Sequence, residues 1–372
     1  MRILHLTNDF SGSTVYKNLI SELDGLAFSQ VVYNPVREIS RINKNKIDFK
    51  NEDSEIIYSN ILNNFSDRLF YPIKITKILK DIEDKVDLKK INLIHAHTWY
   101  SDGGVAYEIN KKYNIPYVVA IRTTDINIFY KYLFFLRPYG IEILKNASKI
   151  IFISKVIEKQ FHVLLSNRFF GESIVIPNGI DKFWIVNSRS KQIKKGFDFN
   201  LLYIGSFIKR KNIMAMLQAV ELVRKDGYNC RLTLVGGSGS EEASILKFIK
   251  KKSYFEYLGK ISDKENLLQV FRKSDVFLMA SKVETFGLVY FEAISQGLPV
   301  IYSENDGIDG FYNGIGEAVN ANEVKAISKG IIKVINNYSN YSLDQDNILM
   351  NHNWSNIAST YHEIYKKAYI LR

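Results

Sequence analysis

The feature that most constrains the fold is a grammar that occurs twice, roughly 200 residues apart. Near the N-terminus the apolar run Arg2–Thr7 leads into a small-residue turn, Ser11-Gly12-Ser13-Thr14, and then a helical period over Val15–Leu23. In the second half, the apolar run Asn200–Gly205 leads into a basic turn and a helical period over Ile213–Arg224. Strand, phosphate-sized turn and helix, written twice, predict two doubly wound α/β units. The length agrees, because 372 residues exceed what one hydrophobic core comfortably holds.

Further strands of the first unit are expected at Ile91–Ala96, Tyr117–Ile121, Lys149–Ser154 and Ser173–Pro177, with a helix over Asp102–Tyr113. The second unit alternates more cleanly. Strands are expected at Arg231–Val235, Phe255–Leu258, Asp275–Met279 and Val300–Tyr302. Between them lie helical stretches at Glu241–Lys252, Asp263–Arg272 and Leu288–Gln296, the last stopped by Gly297-Leu298-Pro299. Single helices between single strands mean a parallel sheet covered on both faces. Ser188–Phe197, basic and poor in apolar residues, reads as a linker, which divides the chain into 1–187 and a second domain from 188. Arg37–Asn64, polar and weakly periodic, reads as a surface insertion.

Composition excludes several classes. Cys230 is the only cysteine, so the chain can form no internal disulfide and gives no sign of an oxidising compartment. No signal-like N-terminus and no apolar run of spanning length is present, which leads us to expect a cytoplasmic protein. The net charge of +11 falls mostly between residues 101 and 300. That field favours anionic partners such as nucleotide diphosphates or anionic lipid, although a solvated Lys-rich surface would give the same count. No zinc-ligand spacing or RNA-binding aromatic motif supports nucleic acid, and no partner of that class is expected.

The sharpest local feature is the run Ser281 to Ala293, SKVETFGLVYFEA. Two glutamates, Glu284 and Glu292, stand eight positions apart around Phe286-Gly287, where a strand ends and a helix starts. A helix beginning near Gly287 leaves the first N–H groups, those of Gly287, Leu288 and Val289, free to bind an anion. Glu292, one turn into the helix, can accept from hydroxyls, while Glu284 stays on the loop. The plainer reading is acidic residues stabilising a helix start, worth about 0.3–1 kcal/mol.

Glu284-x7-Glu292 with Ala293 and Gly297-Leu298-Pro299-Val300 resembles the signature of retaining GT-B glycosyltransferases of family 4. Ile176–Asp181, Leu201–Lys211, Leu232–Gly239 and Tyr257–Lys260 fall in that family's order, and Ile94-His95-Ala96-His97 extends the likeness more loosely into the first half. The resemblance implies a GT-B fold, two Rossmann-like doubly wound domains facing a central crevice. The first would bind the acceptor, the second (188–352) would hold the nucleotide-sugar, and the segment 353–372 would be a helix returning to the first domain. It also implies roles by position. Glu292 would bind the ribose hydroxyls. Glu284 would meet the donor sugar, with N–H groups of Phe286, Gly287 and Leu288. Lys211 would bind phosphate beside Gly205, and the backbone at Lys260 would touch the base. Gly12 would lie near the diphosphate from the first domain.

Two positions depart from the family pattern. Its arginine after the turn glycine is Ser206 here, which leaves Arg210 to supply the phosphate contact. Its catalytic histidine after the strand at Pro116 is replaced by Arg122, in the run Arg122-Thr123-Thr124-Asp125. Arg122 stays protonated and cannot be a base, but it can neutralise a leaving diphosphate. The catalytic set expected is therefore Glu284, Arg122 and Lys211. No set of His and Asp at metal-ligand spacing is read around these motifs, and neither a metal nor a cofactor is expected.

Beyond Arg122, the segment Ile128–Tyr139 mixes aromatics with Lys131 and Arg137. Arg122, Asp125, Tyr130, Lys131 and Arg137 are the expected acceptor or membrane face, placing the protein peripherally on the inner side of the cell membrane. A buried helix whose cations snorkel is the rival. The reaction expected is retaining, metal-independent transfer from a nucleotide-sugar, UDP-sugar favoured, to a glycan or lipid-linked hydroxyl. A non-catalytic GT-B partner subunit or a sugar-nucleotide epimerase are the alternatives. Neither turn reads G-x-G-x-x-G, which disfavours a dehydrogenase.

Overall fold

The computed structural model describes all residues except 27, 64–66, 68–69, 167–170, 193, 195, 197 and 371–372. The chain divides into two compact units, Met1–Gly179 with Asn353–Arg372, and Ile180–His352.

The first unit holds strands β1 (Arg2–Leu6), β2 (Ser29–Pro35), β3 (Glu55–Ser59), β4 (Leu93–Ala96), β5 (Tyr117–Ile121), β6 (Lys149–Phe152) and β7 (Ser173–Val175). They form one parallel sheet in the order β3-β2-β1-β4-β5-β6-β7. Its helices are α1 (Thr14–Asp24), α2 (Tyr71–Lys85), α3 (Ser101–Tyr113), α4 (Arg137–Lys145) and α5 (Lys155–Leu164). The alternation of strand residues sorts the two faces. Leu4, Ile94, Val119 and Ile121 pack with Ile75, Ile109 and Ile143 from α2, α3 and α4. Ile3, Leu93, Val118 and Ala120 pack on the other side with Leu19 and Leu23 of α1. The same side carries Trp354, Ile357, Tyr361 and Tyr365 of the last helix.

The second unit holds α6 (Lys182–Val186), β8 (Phe199–Ser206), α7 (Ile213–Lys225), β9 (Cys230–Gly237), α8 (Glu242–Ile249), β10 (Phe255–Tyr257), α9 (Lys264–Arg272), β11 (Val276–Met279), α10 (Leu288–Ser295), β12 (Val300–Ser303), β13 (Gly316–Val319), α11 (Val324–Asn336) and α12 (Gln345–Asn351). Its sheet is also parallel, in the order β10-β9-β8-β11-β12-β13. Helix α13 (Trp354–Ile370) then rejoins the first unit, packing on α1, β4 and β5.

Both sheets therefore reverse direction beside their first strand, between β1 and β4 and between β8 and β11. In open parallel sheets, ligands settle at such switch points, beyond the carboxyl ends of the strands. β11 and β12 are buried at every position, which explains their unbroken apolar runs.

Three expectations are corrected. The first boundary lies at Gly179–Ile180, not at 187–188, because α6 packs into the second unit with Trp184 edge-on to Phe271 at 5.3 Å. The stretch expected as a free linker is tied to that unit as well: Arg189 N–H donates to the Ser295 carbonyl at 2.8 Å and Lys194 pairs with Asp275 at 2.7 Å. Ile193, Lys195 and Phe197 of that stretch lie outside the described residues. Finally, Arg37–Asn64 is not merely an insertion, since Glu55–Ser59 forms the edge strand β3 on β2.

Candidate functional site

In the second unit the site is built at the switch point. β8 ends at Gly205-Ser206, where the backbone of Gly236 on β9 runs so close that any side chain there would strike the Gly205 carbonyl. A single helical turn, Lys209–Lys211, follows, and Asn212 closes it in a left-handed conformation with φ 59°. That conformation is held by the Asn212 amide, which donates to the carbonyls of Ala280 (3.1 Å) and Ala321 (2.7 Å). The clamp fixes the direction of Lys211, which is buried and ion-paired with the equally buried Glu284.

Glu284 stands on the loop after β11, with several groups converging on it. Arg210 Nη1 lies 3.9 Å from its carboxylate and donates to the Val283 carbonyl at 3.2 Å. The Glu284 N–H donates to Asp306 at 2.5 Å, and the Thr285 N–H donates to the Glu284 carboxylate at 3.0 Å. Gly287, at φ 76°, turns the chain into α10, and no side chain caps that helix start. The expected N–H donors of Leu288 and Val289 are therefore open at the first turn, beside a buried cation. Ser206 ends β8, and its backbone carbonyl accepts from the Tyr203 hydroxyl at 3.2 Å.

Glu292 forms a second cluster. Trp184 donates a hydrogen bond to it, and Asp181 and Lys264 flank it. Asp181 pairs with Lys264 at 2.5 Å and caps α6 by accepting from the Phe183 N–H at 2.9 Å. Burial, and then the Asp181 charge, push the Glu292 carboxyl up to about 7, against Lys264 and the Trp184 bond. Asp306 is raised to about 6, chiefly by burial. Lys260, just after the left-handed Gly259, is exposed and touches none of these groups among the described residues.

Sequence reasoning missed Asp306, Trp184, Asp181 and Lys264. Asp306 sits in a glycine-rich loop that reads only as a turn, and Trp184 was counted with the first domain.

In the first unit the corresponding edge carries Arg122. Its Nε donates to the His97 carbonyl at 3.1 Å, its Nη1 to Asn178 at 3.3 Å, and its guanidinium lies 5.5 Å from the Tyr16 ring centre. Gly12 closes a single helical turn over Asp9, and a β-carbon there would meet only the Asp9 carboxylate. Asp125, expected on an exposed face, is buried. It accepts from the N–H groups of Trp99 (3.1 Å), Tyr100 (3.2 Å) and Arg122 (2.9 Å), and so frames the loops. Lys131 is exposed, and Tyr130 and Arg137 are partly so.

The sequence sets only His95 and His97 together, and pairing of β1 with β4 adds His5 to make a cluster of three. His5 lies opposite His95, and His5, His95 and His97 are all fully buried, with nitrogens within 4.8 Å of one another. His5 Nδ1 lies 3.1 Å from His97 Nε2, and His95 Nδ1 lies 2.6 Å from the Tyr365 hydroxyl. Burial holds His5 down at about 3, and His95 and His97 well below the usual range. The rings of His95 and His97 stack at 3.7 Å and 28°. An ion in the plane of one ring would lie far out of the plane of the other, so this arrangement is a poor chelate as it stands.

Comparison with known proteins accords with this geometry. The family model for glycosyl transferases group 1 matches residues 185–349, and that for glycosyltransferase family 4 matches residues 14–182. An uncharacterized glycosyltransferase, MJ1178, of Methanocaldococcus jannaschii is 28% identical over 86% of this chain and 83% of its own. The alpha-monoglucosyldiacylglycerol synthase of Acholeplasma laidlawii is 25% identical over 67% of each chain. The sucrose-phosphate synthase of Thermosynechococcus elongatus superposes over 100% of both chains with TM-score 0.74 at 17% identity, which speaks for the fold alone. With one family model on each unit and its fold shared with GT-B enzymes, the chain belongs to the group 1 glycosyltransferases.

Proposed function

We propose that the protein transfers a sugar from a nucleotide-sugar, UDP-sugar favoured, to a hydroxyl of a glycan or lipid-linked acceptor, with retention at the anomeric carbon and without a metal. The observation that carries this reading is the buried Lys211–Glu284 pair, with Arg210 beside it, at the uncapped start of α10. Breaking the anomeric C–O bond sends its electron pair to the diphosphate and leaves positive charge on the sugar. Fixed donors aimed at the diphosphate lower that barrier electrostatically. Lys211, Arg210 and the N–H groups at Leu288 and Val289 are the donors assigned here. Glu284 is assigned to the sugar hydroxyls and Glu292 to the ribose.

Arg122 cannot accept a proton. The acceptor hydroxyl would therefore attack on the face the diphosphate leaves, passing its proton to the departing phosphate oxygen. A lipid-linked acceptor accords with the Acholeplasma laidlawii relative, named for synthesis of a glycolipid, and we assign the work to assembly of bacterial surface glycans at the cytoplasmic side.

The reading is tested by assigning the anomeric configuration of the product by NMR and by repeating turnover in EDTA. Retention with undiminished rate is expected. An inverted product refutes the stereochemistry, and strict Mg²⁺ dependence refutes metal independence.

A further inference from the structure

The first unit carries a face that none of this chemistry uses. After β5 the chain makes a π-helical turn, Asp125–Tyr130, and a short turn at Phe134–Leu136 before α4. Along it Ile128, Tyr132, Phe134 and Phe135 are 52%, 64%, 69% and 60% exposed. The end of α5 adds Val163 and Leu164, at 71% and 44%. These are one face, not two. The Tyr130 hydroxyl donates to the Leu164 carbonyl at 3.2 Å, and Trp99 packs against both Tyr130 (5.9 Å) and Phe161 (5.7 Å). Large apolar side chains gathered in this way on a water-facing surface mark an interaction site.

Charge says what covers it. Lys131, Lys155 and Lys159 are exposed and take part in no ion pair among the described residues. Lys155, Lys159 and Val163 follow one another at i, i+4 and i+8, on one stripe of α5. Arg137 lies 4.6 Å from the Tyr130 ring centre and Lys131 lies 5.4 Å from that of Tyr132, so the cations sit among the aromatics. Glu158 is the one acid on α5, and residues 126–141 contain none. A second copy would bring these same cations against one another across a symmetric contact. The partner must be anionic at its surface and apolar just beneath it.

We infer that this face docks on an anionic lipid bilayer, with Phe134, Phe135 and Val163 entering the headgroup layer and Lys131 and Lys159 meeting lipid phosphate. No helix among the described residues is long and apolar enough to cross a membrane, so the attachment is to one leaflet surface. The inference is compatible with the lipid-linked acceptor proposed above but does not need it, because docking is read without donor or turnover.

The experiment is co-sedimentation of the full chain with phosphatidylcholine vesicles, and with vesicles in which about a third of the lipid is phosphatidylglycerol. The chain is expected to pellet with the anionic vesicles and stay in solution with the neutral ones, and added NaCl should release it. Lys131→Glu with Lys159→Glu should lower partitioning roughly tenfold or more, from about fivefold per cation. Phe134→Ser with Phe135→Ser should lower it at least tenfold. These positions are exposed, so the circular dichroism and melting temperature of both variants should match the parent. Failure to pellet with anionic vesicles overturns the inference, and so does equal pelleting of parent and variants. A dimer in sedimentation velocity that the Phe134→Ser/Phe135→Ser change dissolves, without vesicle binding, assigns the face to a second copy and also overturns it.

Discussion

At the residue scale the site depends on two carboxylates, the buried Glu284 and the half-buried Glu292, whose surroundings differ. Glu284 has a cation against it, and Glu292 has a neighbouring acid. Replacing Lys211 by Ala leaves the Glu284 charge buried and short of its partner. A loss of about 2–4 kcal/mol in stability is expected by thermal or urea unfolding, with turnover falling about 10²–10³-fold. Glu292 gives a pH signature. Its carboxyl is raised from an ordinary 4.5 to about 7, so the folded, empty protein keeps that proton where the unfolded chain has lost it. Stability from this group is therefore full below pH 4.5 and is lost as pH rises toward 7. Ribose hydroxyls favour the ionised form, so nucleotide affinity should rise with pH through about 7 and then level. Glu292→Gln should flatten that profile in calorimetric titrations and stabilise the empty protein at pH 8 by roughly 1–3 kcal/mol. Glu284 and Glu292 could be singled out because they stand in one run of sequence around Phe286-Gly287, and Lys211 because it closes the turn after β8. Asp306 was not, since a single Asp in a glycine-rich loop carries no pattern until β12 brings it beside Glu284. The histidine cluster was illegible for the same reason: His5 and His95 are 90 residues apart and meet only through strand pairing.

At the element scale, the turn into α10 and the last helix do the positioning. Gly287 is left-handed, and a β-carbon there would sit 2.5 Å from the Tyr290 ring. Gly287→Ala should cost about 1–3 kcal/mol in unfolding experiments and weaken nucleotide binding by displacing the N–H groups that follow. Helix α13 covers one face of the first sheet with Trp354, Ile357, Tyr361 and Tyr365. Tyr361→Ala should lower stability by about 3–5 kcal/mol without altering nucleotide affinity in the second unit. In the second unit the elements from β8 to β12 were readable because the central strands β11 and β12 are buried and apolar throughout, whereas β13, α11 and α12 were not. β3 was not, because Glu55–Ser59 is a short, half-exposed edge strand in an Asn- and Lys-rich stretch. The boundary at Gly179 escaped because α6 is five residues long, too short to show a period, and is tied by Trp184 to a helix far along the chain.

At the scale of the whole molecule, the two units share one order over six strands, with β7 added in the first, but carry different groups at the switch point. The second gathers Lys211, Arg210, Glu284 and an open helix start, the groups proposed above to hold a sugar diphosphate. The first presents Arg122 and an apolar, cationic face. The measurement that most directly tests the donor site is calorimetric and thermal-shift titration of the full chain with UDP-, GDP- and ADP-sugars, beside Glu292→Ala. One nucleotide class, UDP first, should bind and stabilise the parent, and the substitution should weaken that binding by roughly tenfold or more. Absence of any response to nucleotide sugars, or equal binding by Glu292→Ala, would contradict the assignment of the second unit as the donor site.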